Sequence, residues 1–474
     1  MATQTAARTR SGRRMVPSVA VVLAFALLVG GCARADRAAA STTMPNIVLI
    51  LTDDQRFDTL WAMPTVESEL VGHGVDFVNG FVSNPLCCPS RSTILTGEYS
   101  HTTGVYSNRS HQRYGGFAHF RDGSTVATWL HGAGYRTALM GKYLNGYSGT
   151  YVPPGWDRWF ATYHGGGYYN YTVNSDGSLS TYGSDPADYS TTVLTKQATA
   201  FIRSTDPAQP LFLYFAPHGP HNPATPAPGD ENAFSDLAAW RPPSYDVVEP
   251  TKPEYIRHRN TFSSSLTRSI DEFRLDQYRT LLSLDRAVAS ILGALDDTGR
   301  LGDTMIVFMS DNGMLWGEHG WHKKVVPYEE SIRVPFVVRY DPLTTSPKVD
   351  DHLVVNVDLA PTFAALAGVS APNVEGMSLL PLLSSASADW RSSFLIEHMR
   401  KNTGGVPTYC GVQTERFEYV DYVTGEEELY DLSRDPNELV NRVDDPRYLD
   451  VRRRLRRQLV GLCSPEPPGF SLSF

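Results

Sequence analysis

The stretch Asn46–Asp54 reads Asn-Ile-Val-Leu-Ile-Leu-Thr-Asp-Asp, an apolar run that ends abruptly on two acidic side chains. A short, continuous run of this kind is typical of a strand buried on both faces of a parallel sheet. Two further runs have the same form. Pro210–Phe215 is followed by Ala216-Pro217-His218, and Thr304–Met309 is followed by Ser310-Asp311-Asn312-Gly313. Each run therefore places polar or titratable residues just past the carboxyl end of a strand.

Helical patterns lie between these runs, for example at Thr125–His131 and Tyr278–Leu295. Alternating strands and helices predict an α/β domain with helices on both faces of the sheet. Ligands of such sheets bind outside the carboxyl ends of the strands. The glycine-rich stretch Gly165–Gly183 and the proline-rich stretch Pro220–Pro253 are predicted surface loops. They are candidates for loops at the rim of the substrate-binding site, and an equally good alternative is that they are surface loops with no role in binding.

The pattern changes after about Gly376, which predicts a smaller α+β domain over 376–474, following a catalytic domain over 44–375. Short strands are expected at Phe394–His398, Arg416–Val423 and Glu428–Leu432, and an amphipathic helix at Pro446–Leu462. The arginines of that helix are interpreted as a solvated face, because its apolar residues fall on one side.

The N-terminus has the form of an export signal. Basic residues precede the apolar stretch Val19–Leu28, which is too short for an ordinary membrane span. Residues 1–31 are the predicted signal peptide, and Leu28–Cys32 resembles a bacterial lipoprotein signal, with Cys32 lipidated as the mature N-terminus and 32–43 as a linker. The alternative is cleavage near Ala33–Ala40 and free secretion. A lipid anchor would be the only membrane contact of this exported protein.

Charge and cysteine content limit the functional classes. The formal net charge is −9, so no global basic field draws the chain onto nucleic acid. An anionic substrate must then be bound by local charge. The sequence has no paired Cys-x-x-Cys spacing, so it does not predict a structural zinc site of that kind. Cys410 and Cys463 are interpreted either as one disulfide or as two buried thiols, which leaves the adjacent pair Cys87-Cys88 to be explained.

Oxygen donors and basic groups follow the predicted strands. Asp53-Asp54 and Asp311-Asn312 supply hard oxygen ligands for Ca2+ or Mg2+, although such residues also cap helices and turns. Basic side chains occur in the same regions: Arg91, Lys142, His218, His221, His319, His322 and Lys324. A cation site combined with Lys, Arg and His suits a substrate that carries a tetrahedral oxyanion, either phosphate or sulfate.

Cys87-Cys88-Pro89-Ser90-Arg91, continued by Ser92–Gly97, distinguishes between these two anions. It resembles the Cys-x-Pro-Ser-Arg signature of the type I sulfatases, formylglycine-dependent members of the alkaline phosphatase superfamily. The resemblance implies that Cys87 is oxidised to formylglycine by a formylglycine-generating enzyme. Other family motifs match along nearly the whole mature chain: Asp53-Asp54, Gly141-Lys142, Ala216-Pro217-His218, Ser310–Gly313, Lys324 before Tyr328-Glu329, Glu428–Leu432 and Asp435–Glu438.

The family resemblance implies a fold and a set of roles. The fold is a large mixed, mostly parallel sheet sandwiched by helices, with an antiparallel sheet in the smaller C-terminal domain. One Ca2+ ion is expected at Asp53, Asp54, Asp311, Asn312 and the modified Cys87. The expected catalytic residues are Cys87, Arg91, Lys142, His218 and Lys324, with a hydroxyl of the aldehyde hydrate attacking sulfur and the other later expelling sulfate. Arg91 steadies the hydrate, both lysines hold sulfate oxygens, and His218, with Lys324 as a second candidate, protonates the leaving alkoxide.

One position departs from the pattern of many arylsulfatases. These enzymes have a histidine two residues after the first lysine, where this chain has Leu144. The variant resembles the branch that contains N-acetylglucosamine-6-sulfatases, which favours a sulfated sugar as substrate. His221 and His322 are then candidates to replace the missing histidine, while His319 and His322 stay outside the predicted catalytic set.

Two other functions remain open at the level of sequence. The first is a phosphatase, phosphodiesterase or phosphonate monoester hydrolase on the same fold, because these enzymes also bind a tetrahedral anion beside a metal. The second is an exported lipoprotein that binds sulfated glycans without hydrolysing them.

Overall fold

The apolar run at Asn46 forms the strand that centres the main sheet. The computed structural model describes residues 44–109, 113–384, 388–400 and 405–472. The predicted signal peptide over 1–31, Cys32 and the linker over 32–43 lie outside the described residues. The predicted domain boundary between residues 375 and 376 stays a prediction.

The strands of the described residues are β1 (Asn46–Thr52), β2 (Val75–Phe77), β3 (Gly80–Phe81), β4 (Arg136–Lys142), β5 (Arg158–Thr162), β6 (Thr172–Ser175), β7 (Ser178–Thr181), β8 (Leu211–Ala216), β9 (Thr304–Ser310), β10 (Phe336–Arg339), β11 (Lys348–Asp350), β12 (Val354–Val355), β13 (Ser393–His398), β14 (Tyr409–Thr414), β15 (Phe417–Tyr422) and β16 (Glu427–Asp431).

The α-helices of the same residues are α1 (Cys87–Thr96), α2 (Ser100–Thr103), α3 (Val126–Gly132), α4 (Ser190–Ser204), α5 (Glu254–Arg257), α6 (Ser264–Asp297), α7 (Glu329–Ile332), α8 (Leu359–Leu366), α9 (Leu380–Ser384) and α10 (Leu449–Leu462).

The main sheet is mixed, with a parallel centre. Among the described residues it has ten strands in the order β11-β2-β10-β9-β1-β8-β4-β5-β6-β7. Strands β9, β1, β8, β4 and β5 are parallel to one another, whereas β10 pairs antiparallel with β9, and β6 with β5. This arrangement confirms the predicted large, mostly parallel sheet.

Helices cover both faces of the sheet because successive strand residues point in opposite directions. Ile47, Leu49 and Leu51 of β1 pack into a core that contains residues of α1, α3 and α8. Val48 and Ile50 pack into the core on the other face, against α4 and α6. The predicted sandwich is therefore confirmed, and the parallel strands present their carboxyl ends at one edge between the helical layers.

The C-terminal part carries a separate antiparallel sheet, as predicted. Its order is β13-β14-β15-β16, and α10 packs against it through the buried Leu455 and Leu459. Cys410 of β14 forms a disulfide with Cys463, just after α10. The structure thus decides for the disulfide over two free thiols.

Three details differ from the sequence-based predictions. The predicted loop over Gly165–Gly183 is wrong in part, because β6 and β7 form a hairpin at the sheet edge. Helix α6 begins at Ser264, well before the predicted Tyr278, since its first turns bury little and give a weak periodic signal. Strand β14 was not predicted.

Among the described residues, no helix combines the length and the apolar character needed to cross a bilayer.

Candidate active site

Four parallel strands bring the predicted residues to one edge of the sheet. Asp53 follows β1, Asp311 follows β9, Lys142 ends β4, and His218 lies just past β8. The close approach of β4 and β8 requires a glycine before Lys142. Gly141 has a φ of 115°, and a Cβ there would lie 2.1 Å from the Ala216 carbonyl oxygen. The Gly141-Lys142 pair therefore has a structural reason as well as a chemical one.

Cys87 is the first residue of α1, where the backbone N–H groups and the helix dipole favour negative charge. All ten residues of α1 are buried although many are polar. These buried polar groups need hydrogen-bond partners, and Ser90 has one, because its Oγ accepts a 2.9 Å hydrogen bond from Asn356 Nδ2. The Cys88 N–H donates to Asn108 Oδ1 at 2.9 Å. These bonds fix the helix start that holds Cys87 in place.

The Cys87 thiol lies between a cation and an anion. Lys324 Nζ lies 2.9 Å from Cys87 Sγ, and Sγ lies 3.5 Å from Asp53 Oδ1. Cys87 is fully buried beneath this pair. The predicted nucleophile position is thus in direct contact with two of the other predicted site residues.

Arg91, one turn after Cys87, links three elements of the site. Its Nε donates to Asp311 Oδ2 at 2.7 Å and its Nη1 donates to the Lys142 carbonyl oxygen at 2.9 Å. Its Nη2 lies 3.7 Å from Asp53 Oδ2. Burial opposes the guanidinium charge, yet Asp311 and Asp53 outweigh burial and raise the pKa of Arg91 above its usual value. Arg91 therefore stays charged and holds the two acidic strand ends together.

The two adjacent carboxylates each contact a lysine. Lys142 Nζ donates to Asp53 and Lys324 Nζ donates to Asp54. Burial alone would raise the carboxyl pKa values. Lys142 overrides it for Asp53, and Lys324 for Asp54, so that both pKa values fall below the usual range, that of Asp53 well below. Both side chains are consequently ionised in a site that is almost inaccessible to solvent.

Asp54 and Asn312 are buried side by side at the carboxyl ends of β1 and β9. Asn312 Nδ2 donates to Asp54 Oδ1 at 2.7 Å, while the buried Asn312 Oδ1 has no hydrogen-bond partner among the described residues. Asp54 adopts a φ of 68°, which is costly for a residue with a side chain. Its N–H lies 3.3 Å from Asp311 Oδ1, which helps to hold this conformation. An amide oxygen grouped with carboxylates is the donor set that Ca2+ prefers.

His218 is buried near Asp53, just past the carboxyl end of β8. Its Nδ1 lies 3.0 Å from the Gly165 carbonyl oxygen, and its ring makes an edge contact with Tyr168. Burial, followed by the neighbouring His221, lowers the pKa of His218 to about 3. The imidazole is therefore neutral, with Nδ1–H donating to the carbonyl and Nε2 available as an acceptor.

His221 belongs to the centre, which the sequence left open. Its Nε2 lies 3.7 Å from Asp54 Oδ2, and its donor atom lies within 4.8 Å of those of Asp53, Asp54 and Cys87. Burial disfavours its cation, but Asp54 and Asp53 outweigh burial and raise the pKa of His221 to about 9. Leu144 is buried in the hydrophobic core and contributes no polar group.

The other two histidines lie elsewhere. His322 is half-buried and packs against Phe262, with ring centroids 5.8 Å apart. His319 is buried against Tyr328, with ring centroids 4.2 Å apart. Neither belongs to the group of ligand atoms around Cys87, although His322 lines the cavity beside Lys324.

Gln277 is a positioning residue that the sequence analysis missed. Its Nε2 donates at 3.1 Å to the carbonyl oxygens of Asp54 and Pro220, so it joins the two loops that carry Asp54 and His221. It lies in the middle of α6, where a glutamine is an ordinary helix residue. No local signal in the sequence distinguishes it.

Two cavities open on this centre. One, of about 620 Å³, is lined by Asp54 and Lys324 together with Phe273, Trp321 and Lys323. The other, of about 390 Å³, is lined by Lys142, Asn145, Tyr168, Tyr169 and His218. His221 and Asn222 line both cavities, so the two spaces meet at the reaction centre.

Comparison with known proteins identifies matching families. A family model described as Sulfatase matches residues 45–369, and a model described as N-sulphoglucosamine sulphohydrolase, C-terminal, matches residues 317–464. Together they span almost all of the described chain.

Similar sequences carry sulfatase names. The chain is 36% identical over 375 residues to an extracellular sulfatase SULF-1 homolog of Drosophila melanogaster, covering 76% of this chain and 34% of that protein. It is 34% identical over 419 residues to the human N-acetylglucosamine-6-sulfatase, covering 85% of this chain and 75% of that protein. The chain spans about a third of the fly protein and 52% of a similar Caenorhabditis elegans protein.

Solved structures share the fold. A protein bound to its substrate D-glucosamine-2-N,6-O-disulfate superposes with a TM-score of 0.78 at 24% identity, covering 89% of this chain and 97% of that chain. A phosphonate monoester hydrolase of Agrobacterium radiobacter superposes with a TM-score of 0.70 at 20% identity, covering 88% and 95% of the two chains. With the Sulfatase model matching most of its length, this chain belongs to the sulfatase family.

Proposed function

We propose that the protein is a sulfuric ester hydrolase that removes sulfate from a sulfated carbohydrate. The observation that carries the proposal is the position of Cys87 at the start of α1, in contact with Lys324 and Asp53. Family membership supports the same reaction. A buried cysteine among oxygen donors and lysines suits a centre that holds a sulfate group and attacks it.

Cys87 is proposed to act as formylglycine, made by a formylglycine-generating enzyme. The hydrated aldehyde carries two hydroxyl groups on one carbon, so one can attack sulfur while the other later releases the sulfate. Cys88 is not an alternative. It packs in the hydrophobic core, and burial raises the pKa of its thiol to about 12.

Asp53, Asp54, Asp311 and Asn312 are proposed to hold one Ca2+ ion. The unpartnered Asn312 Oδ1 and the ionised Asp53 and Asp54 support this assignment. When bound, the ion would supply Lewis-acid polarisation of a sulfate oxygen. Arg91 holds Asp311 and Asp53 in place from the protein side.

The remaining groups are proposed to bind the sulfate and assist departure of the alcohol. Lys142 at the end of β4 and Lys324 in the segment before α7 both reach the centre, where their ammonium groups can donate hydrogen bonds to sulfate oxygens. His218 is assigned to the leaving oxygen. Its imidazole is neutral in the free protein, so this role requires that the bound anionic ester raise the His218 pKa and that the ring take up a proton from solvent. Lys324 is the second candidate donor.

The proposed substrate class is a 6-sulfated N-acetylglucosamine residue. Relatives at 33–34% identity carry the name N-acetylglucosamine-6-sulfatase. The cavity beside Lys324 includes Phe273 and Trp321, aromatic rings suited to the apolar face of a sugar. The opposite cavity offers polar groups from Asn145 and Tyr168.

Mass spectrometry of the Cys87 peptide, combined with assays, tests the proposal. We expect an aldehyde in place of the thiol at Cys87, release of sulfate from N-acetylglucosamine 6-sulfate, loss of this activity in Cys87→Ala and its retention in Cys88→Ala. Faster hydrolysis of the matched phosphate or phosphonate ester would assign the centre to the other ester class. Binding of sulfated glycans without turnover, together with an unmodified Cys87, would favour a binding protein.

The protein is further proposed to be exported and held at the outer face of the cell membrane by lipid on Cys32. The arginines and apolar run that precede Cys32 support this location. Fractionation of cells that express the full chain tests it. We expect the protein in the membrane fraction and Cys32→Ala outside that fraction, and an unchanged distribution would contradict the anchor.

A further inference from the structure

A second group of buried ionisable residues lies between the segment that carries Lys324 and the C-terminal sheet. It consists of His319, Glu330 at the start of α7, Glu418 of β15, Glu428 of β16 and Glu438, with Lys252 beside them. Its members are all buried or nearly so. None of them is assigned a part in the proposed hydrolysis. We call this group the buried acidic cluster.

Part of the negative charge in this region is balanced. Glu428 accepts hydrogen bonds from the hydroxyls of Tyr328, Tyr430 and Tyr422, and lies 3.8 Å from Lys252 Nζ. Two further acids close to the cluster have arginine partners. Glu318 lies 2.8 Å from Arg56, and Glu329 lies 3.1 Å from Arg333.

The charge of Glu330, Glu418 and Glu438 is not balanced in this way. Lys252 is the lysine beside these carboxyls, and its charge is already shared with Glu428. Glu438 Oε2 accepts the Glu329 N–H at 3.0 Å, and Glu438 lies close enough to Glu418 for the two carboxyls to share a proton. The buried Glu330 Oε2 has no hydrogen-bond partner among the described residues. Uncompensated buried carboxylates are strongly unfavourable, so a cation or protons must neutralise them.

His319 is the observation that favours a metal ion. Its side chain is 1% exposed, and neither ring nitrogen has a hydrogen-bond partner among the described residues. Its Nε2 lies 3.8 Å from Glu330 Oε2. Donor atoms of His319, Glu330 and Glu438 all lie within 4.8 Å of one another. Buried imidazole nitrogens are normally hydrogen-bonded. Since those of His319 are not, and two carboxylate oxygens lie close by, the three side chains are better suited to coordinate a metal ion.

We propose that His319, Glu330 and Glu438 bind a second divalent cation, separate from the one proposed at Asp53 and Asp54. One imidazole nitrogen with two carboxylates suits a transition-metal ion such as Zn2+ or Mn2+ better than Ca2+, which takes oxygen ligands. The ion would join the C-terminal segment, through Glu438, to the segment between β9 and α7, through His319. That segment also carries Lys324, so this site would be structural and would support the active centre indirectly.

Metal analysis of the full-length protein tests the proposal. The untagged protein is loaded with Zn2+ and Ca2+, passed through metal-free buffer and analysed by plasma mass spectrometry. We expect about one zinc per chain in the wild type. Zinc should fall at least tenfold in His319→Gln and in Glu438→Gln. The control Asp311→Asn should lose calcium and keep zinc.

A spectroscopic measurement on the unaltered sequence covers the case in which a variant fails to fold. Co2+ loaded in place of Zn2+ should give visible d–d absorption bands, which added Zn2+ should abolish. Folded wild type that retains no zinc and shows no such bands would overturn the proposal, and would mean that the carboxyls are neutralised by protons. Loss of zinc in Asp311→Asn together with calcium would overturn it as well, by placing the zinc at the other site.

Discussion

Cys87 and Cys88 are neighbours in sequence, but the helix gives their side chains different surroundings. Residues in an α-helix are about 100° apart around the axis, from 3.6 residues per turn. Cys87 consequently reaches Lys324 and Asp53, while Cys88 packs in the core. Asp54 and Asp53 likewise contact different lysines. At the scale of the residue, the direction of a side chain decides its contacts, and two identical neighbouring residues therefore have different chemical roles.

His218 is predicted to matter most for substrates with poor leaving groups. His218→Gln should lower kcat for a sugar sulfate by about 10²–10⁴-fold, the usual contribution of general acid catalysis. An aryl sulfate whose phenol departs without protonation should lose far less activity. Steady-state kinetics on the two esters measure the difference.

The control for this prediction is His258→Gln, which changes an exposed histidine that lines neither cavity. It should alter both substrates to the same small extent. Equal losses on both esters in His218→Gln would contradict the assignment of His218 to the leaving oxygen.

The short helix α2 is linked to the C-terminal sheet through the charge of one of its side chains. Helix α2 has only four residues. Its His101 lies 3.3 Å from Glu375 and 3.2 Å from Glu397 of β13, with 2% of its side chain exposed. Burial disfavours the imidazolium, but the two glutamates outweigh burial and raise the pKa of His101 to about 10. The histidine thereby connects α2 to the C-terminal sheet.

His101 is predicted to stabilise the fold in a pH-dependent way. Because its pKa is raised above the unfolded value near 6.5, its contribution is complete below that pH and falls as pH rises towards about 10. His101→Gln should lower the free energy of unfolding by about 1–3 kcal/mol at pH 6, and by progressively less at higher pH. Denaturant unfolding at several pH values measures it.

The matched control is His131→Gln, since His131 also faces a carboxylate but 51% of its side chain is exposed. Its effect on stability should be small at every pH. A constant difference between wild type and His101→Gln from pH 6 to 10 would contradict the charged state inferred for His101.

At the scale of the whole molecule, the active centre depends on elements distant in sequence. β1, β4, β8 and β9 each deliver one part, α1 delivers Cys87, and the segment before α7 delivers Lys324. Three buried acids meet there, and a bound cation would relieve their mutual repulsion. Cation binding should thus be coupled to folding of the entire chain.

Calcium is predicted to stabilise the protein as well as activate it. A cation that binds only the folded state adds about 2.7 kcal/mol at a free concentration 100 times its Kd. Thermal unfolding with calcium and with a calcium-selective chelator should show the higher midpoint in calcium, and activity should return when calcium is restored. In Asp311→Asn the two midpoints should converge, whereas a wild type insensitive to calcium would contradict the site.

The sequence by itself determined three strands of the parallel centre, the reactive motif and the fold class. β1 matches its predicted bounds, and β9 and β8 match theirs to within one residue, because a doubly buried strand must be a continuous apolar run with polar ends. The Cys87–Gly97 motif could also be recognised from sequence, because its residues are contiguous and form a single helix, α1, with its C-terminal glycine.

Only the tertiary structure decided which distant residues meet. It placed His221 rather than His322 at the centre, paired Cys410 with Cys463, assigned Gln277 to the Asp54 loop and gathered the buried acidic cluster. It also converted the predicted loop over Gly165–Gly183 into the hairpin β6–β7. Each of these outcomes depends on contacts between segments far apart in the chain, and local propensity and periodicity carry no information about such contacts.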